Sequence, residues 1–112
     1  MDKMTEDAVG MLARALPIRG GKDVVIRKTA TSPLFDCIVI VTCMNSGHMD
    51  GLLSSTRNLM KGTGLTELHV EGRGSSEWVA LDYGTVVIHL FQEDLRSIVR
   101  LERLWPDQND VD

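Results

Sequence analysis

The 112-residue chain has the length of one domain and not of two. Hydrophobic residues make up 43% and charged residues 25%, a balance that closes a core without disulfide staples and excludes disorder throughout. With 12 basic against 16 acidic residues the formal net charge is -4, which disfavours autonomous nucleic-acid binding through a basic face, direct DNA binding included, and favours steering toward a basic protein partner.

Two cysteines exclude a disulfide-rich scaffold and a four-cysteine zinc site. Cys37 and Cys43 fall in one predicted strand, about 20 Å apart and beyond disulfide reach. They are read as reduced, buried thiols. The N-terminal segment carries Asp2, Glu6 and Asp7 and lacks the basic and apolar regions of a secretory leader. No apolar run nears the roughly 18 residues of a membrane span. The expected location is therefore the cytoplasm, with no membrane contact.

The first predicted element is a short helix whose Ala8, Val9, Met11, Leu12, Ala15 and Leu16 share a stripe. Thr5 or Asp2 can cap it and Pro17 is expected to end it. A β-branched run over 23–27 is the first strand. Residues Cys37 to Cys43 form a second strand, apolar without alternation and so expected to be central, with both faces covered. Ser46 is the expected N-cap of a helix to about Lys61, with Leu52, Leu53, Thr56, Leu59 and Met60 inward. A short third strand is Leu68, His69 and Val70. Trp78 to Asp82 and Val86 to Phe91 then read as a hairpin around Tyr83-Gly84-Thr85, with a bulge. The last helix is predicted over 93–104, stopped by Pro106. The order α-β-β-α-β-β-β-α predicts a mixed α/β sheet of about five strands with flanking helices. The crossover from strand two to strand three favours a parallel pair there.

Catalytic signatures are sparse. His48, His69 and His89 show no metal-ligand spacing, and no nucleophile elbow occurs. The Gly72-Arg73-Gly74-Ser75 turn leads into a strand, whereas a phosphate cradle needs a helix N-terminus. Nucleotidyl transfer on a small mixed sheet requires paired carboxylates on neighbouring strands. The one Asp-x-Asp, Asp110-Val111-Asp112, lies at the chain end, and Asp36, Glu71 and Asp82 each stand alone. No cofactor and no metal are expected. The fourth strand is more informative. Period two puts Trp78, Ala80 and Asp82 on one face and Val79, Leu81 and Tyr83 on the other, which is the natural core face. Two readings of Trp78 stay open: an anchor for a protein partner, or a ring covered by a helix of its own chain.

The run Trp78-Val79-Ala80-Leu81-Asp82-Tyr83-Gly84-Thr85-Val86-Val87-Ile88-His89-Leu90-Phe91 resembles the signature of the ribosomal silencing factors, the Iojap-like proteins. His69-Val70-Glu71-Gly72, Phe35-Asp36 before the apolar strand, and Leu101-Glu102-Arg103-Leu104-Trp105 resemble further segments of that family in the same order. The resemblance spans about 23–107. It implies one domain over 1–112, with a core from about 5 to 106 and an acidic tail over 107–112. It implies a nucleotidyltransferase-like fold without the catalytic carboxylates, and no enzymatic activity. The implied partner is the large ribosomal subunit, through large-subunit protein fourteen on its inter-subunit face. The implied effect is a block to small-subunit joining. By position, the partner-binding candidates are Trp78, Ala80, Asp82 and Tyr83, with Glu71 beside them. The sequence departs from the family pattern at Met44, Met49, Ala80 and Thr85. The alternatives are a large-subunit maturation factor on the same docking surface and a small nucleotidyltransferase. The Trp-bearing face also offers a homodimer contact when no ribosome is present.

Overall fold

The computed structural model describes residues 1–29, 34–74 and 77–104, without the side chains of Ser46, Ile98, Glu102 and Leu104. Trp105, Pro106 and the acidic tail lie outside the described residues. The elements are α1 (Lys3–Ile18), β1 (Lys22–Lys28), β2 (Cys37–Cys43), α2 (Ser46–Lys61), β3 (His69–Glu71), β4 (Trp78–Asp82), β5 (Val86–Gln92) and α3 (Glu93–Val99), then a 3-10 turn at Leu101–Leu104.

Five strands form one mixed sheet in the order β1-β2-β5-β4-β3. The parallel pair is β2 with β5, not β2 with β3 as the crossover suggested. The two strands are seven residues each and largely apolar, and they bury most area by lying side by side at the centre. β3 has three residues with two exposed, which suits an edge. Every residue of β2 is buried, as its unbroken apolar run predicted.

One sheet face presents Val39, Val41, Val79, Leu81, Ile88 and Leu90 to α1 and α2, which contribute Ala8, Leu12, Leu16, Met49, Leu52 and Met60. The other holds a smaller core of Ile38, Ile40, Phe91 and Leu101, bordered by Val25, Phe35, Trp78, Leu95 and Val99. α3 packs over β5 and β2 there.

Local chemistry sets the element ends. Asp2 caps α1 by accepting the Thr5 N–H at 2.7 Å. Pro17 sits in the last turn of α1 rather than ending it, and the turn closes through Arg19 N–H to Ala15 O and Gly21 N–H to Leu16 O. The cap of α2 is Asn45, not Ser46. Asn45 has extended backbone and its Oδ1 accepts the His48 N–H at 2.9 Å, which places Ser46 already inside the helix. The final helix is not continuous over 93–104. Arg100 takes a left-handed conformation, φ 47° and ψ 51°, and ends α3 before the 3-10 turn. The β4–β5 ladder runs from Asp82 opposite Val87 to Trp78 opposite Phe91 without the expected bulge. The register shift lies in β1 instead, between Lys22 and Val25, where Asp23 has φ 48°.

Candidate partner-binding face

Pairing across β3, β4 and β5 arranges the less-covered face in rows. One row joins Glu71, Ala80 and His89, and the next joins His69, Asp82 and Val87. Trp78 and Phe91 form the third. Directly paired residues share a face, so the spacing argument for Trp78, Ala80 and Asp82 holds in three dimensions. All three are half-buried, while Val79 and Leu81 are buried on the opposite face.

Trp78 is both accessible and held. Its ring stacks on Phe91 with centroids 4.7 Å apart and meets the His89 ring at 5.9 Å. The indole Nε1–H donates to His89 Nδ1 at 3.0 Å. That bond requires Nδ1 to be an acceptor, so the neutral imidazole carries its proton on Nε2. Burial reinforces the neutral form by pushing the His89 pKa down to about 4. Of the two open readings of Trp78, the structure bears on packing: its own chain's small core supports one side of the ring, and an open groove of about 360 Å³ borders the other. Glu71, Gly72 and Ala80 complete the lining of that groove.

Gly72 is obligatory. Its φ is +78°, and a Cβ there would sit 2.2 Å from the Trp78 carbonyl oxygen. The return of the chain from β3 to β4 depends on this approach, which also sets Glu71 beside Trp78. Glu71 is exposed, and its Oε1 lies 2.6 Å from His69 Nε2 on the same edge strand. Asp82 has a structural task as well: Oδ1 accepts the Gly84 N–H at 2.8 Å and fixes the hairpin turn.

Trp78, Ala80 and Glu71 are thus brought together on one groove, with Asp82 one row away. Tyr83 is not. It is 6% exposed on the opposite face, with its hydroxyl donating to Glu67 Oε1 at 3.4 Å. Glu67 also receives both arms of the Arg57 guanidinium, at 2.8 and 2.9 Å. Burial and the Glu67 charge push the Tyr83 phenol up to about 12. The side chain follows the strand alternation that marked it for the core, and it can reach a ligand on the Trp78 face only through the backbone. Of the family departures, Met49 is fully buried, with Cys43 Sγ 3.7 Å from its Sδ. Met44 is exposed, and its backbone N–H donates to His48 Nδ1. Ala80 alone borders the groove. His89, Phe91 and Gly72 were not singled out from sequence, although the hairpin register, once closed at Gly84-Thr85, pairs Trp78 with Phe91 and Ala80 with His89.

Among the described residues no group of three His, Cys, Asp or Glu side chains is placed to hold a metal ion. None of their helices is long and apolar enough to cross a membrane.

A family model described as "Ribosomal silencing factor during starvation" matches residues 2–112. The chain is similar to the ribosomal silencing factor RsfS of Chromobacterium violaceum, 30% identical over 89 residues that cover 79% of this chain and 73% of that protein. A crystal structure of a Chromobacterium violaceum protein superposes with a TM-score of 0.84 at 27% identity, covering 95% of this chain and 89% of that one. A 36-residue stretch is 39% identical to "Mitochondrial assembly of ribosomal large subunit protein 1" of Mus musculus, covering 32% of this chain and 16% of that protein. The family match runs through β4 and its groove, and through nearly all the rest of the sequence: this chain belongs to the ribosomal silencing factors, a family of ribosome-associated regulators of translation.

Proposed function

We propose that the chain docks through the Trp78–Ala80–Glu71 face onto large-subunit protein fourteen, on the inter-subunit side of the large ribosomal subunit, and blocks joining of the small subunit. The observation that carries this reading is the held, half-exposed indole at the edge of an apolar groove, flanked by the Glu71 carboxylate. A rigid aromatic anchor beside a charged rim is the composition of an interface hot spot. Ribosomal proteins are mostly basic, so Glu71 and the second carboxylate oxygen of Asp82 offer partners to Lys or Arg. The block is steric and needs no catalysis: a body measuring 34 × 34 × 24 Å fills volume that the small subunit must occupy. The protein acts in the cytoplasm, and off the ribosome the same face supports a homodimer.

A second reading, action during maturation of the large subunit, is favoured by one observation, the stretch shared with the mouse protein named for that assembly. Co-sedimentation with separated subunits tests both readings. Stoichiometric binding to the large subunit with joining suppressed upholds the block. Binding with joining intact moves the assignment to maturation, and absence of binding removes both.

A further inference from the structure

The strongest feature outside the docking groove lies at the carboxyl ends of the central parallel strands. α2 follows β2 and packs on one sheet face, while α3 follows β5 and packs on the other. Adjacent parallel strands whose helices leave in opposite directions define a switch point, and the crevice outside their carboxyl ends is where open α/β sheets take ligands. Here that crevice has a volume of about 460 Å³ and is walled by Thr42 at the end of β2 together with Arg96, Arg100 and Arg103.

The three arginines differ in role. Arg96 is 8% exposed, and its Nη1 donates to the Asp23 carbonyl and to Thr42 Oγ1. It ties α3 to the sheet and forms the floor. Arg100 and Arg103 are exposed at the rim, and among the described residues neither meets a carboxylate within ion-pair distance. Arg100 Nε donates to Ser97 O at 3.1 Å, which steers its guanidinium along the last turn of α3. A helix dipole accounts for one cation in a last turn. It does not account for Arg103, beyond the helix, nor for an arginine rather than glycine at the left-handed position of α3. Asp23 and Glu93 also line the crevice, so its charge is net positive by one. That is enough for one oxyanion gripped by guanidinium forks, a free phosphate or a single phosphate of a chain, and not for a track along several phosphates.

We propose that this crevice binds a phosphate group, held by Arg100 and Arg103 over the Arg96 floor. The group is carried either by an RNA backbone or by a free phosphorylated small molecule. The inference does not rest on the docking reading, and its test uses the chain alone. Backbone amide and arginine Nε–H NMR signals are followed while inorganic pyrophosphate or a short single-stranded RNA is added. The expected result is movement of the Thr42, Ser97, Arg100 and Arg103 signals with either probe, weakened at least about tenfold in an Arg100→Gly/Arg103→Ala variant. Much tighter binding of the RNA assigns the phosphate to a nucleic-acid backbone. Equal binding of pyrophosphate assigns it to a small molecule. Arg103→Glu, an exposed change beyond α3, supplies the same reading should the double variant lose its fold. Silence of these signals with both probes, an equal response to chloride, or binding unchanged in the folded variants overturns the proposal.

Discussion

In the proposed docking, Trp78 serves the fold before it meets a partner. Its stack on Phe91 and its hydrogen bond to His89 fix the indole before any partner arrives, so little rotamer entropy remains to be lost on docking. Trp78→Ala is expected to weaken binding to the large subunit by at least about 2 kcal/mol, roughly thirtyfold, with the domain still folded. Calorimetry on the folded variant checks this, and unchanged affinity would remove Trp78 from the interface. His89 carries a second prediction. The folded state holds its pKa down to about 4, whereas an unfolded chain binds that proton near pH 6.5. Between these values the unfolded state binds more protons. Stability is therefore expected to fall as pH drops from about 6.5 to about 4, by up to roughly 3 kcal/mol from this residue. Urea titrations at neutral and mildly acidic pH measure the slope, and His89→Phe should flatten it.

At the scale of elements, the turn between β3 and β4 decides whether the groove exists. Gly72→Ala places a methyl group 2.2 Å from the Trp78 carbonyl at a φ of +78°. The ladder cannot yield at backbone contact without displacing β3. The expected cost is about 2 kcal/mol or more in thermal or urea unfolding, and a variant as stable as the parent would show that the edge strand shifts freely. β2, β4 and the face alternation of Trp78, Ala80 and Asp82 were legible in the sequence because each rests on local periodicity. The neighbours of β2 were not. Pairing depends on which strands bury most area together, and β5, distant in sequence, outcompetes the three-residue β3. The end of α3 was hidden because the apolar period continues through Leu101 while the backbone turns left-handed at Arg100, a residue that gives no stop signal. Tyr83 illustrates a different limit. It belongs by position to the motif that marks the family, yet alternation sends its side chain to Glu67 on the core side. A motif position and a surface position are separate properties, and only the period distinguishes them.

For the whole molecule, the central strand makes a test of cooperativity available. Cys37 and Cys43 sit at opposite ends of β2, about 20 Å apart, and both are fully buried. Burial pushes both thiols up to about 11, so native thiolate is scarce at neutral pH and labelling must await opening. β2 is flanked by β1 and β5 and covered on both faces, so neither end can reach solvent unless the sheet separates or a covering helix lifts. If the two cores open as one unit, a thiol reagent is expected to modify both cysteines at a common rate that follows global stability as urea is raised. Mass spectrometry of the digested, labelled chain separates the two sites. Cys43 packs against Met49 in the first turns of α2 and Cys37 lies beside Thr85 of the hairpin, so the two report on different ends of the sheet. A Cys43 rate well above that of Cys37 would mean that the β2–α2 corner, next to Thr42 and the arginine crevice, opens before the domain unfolds as a whole.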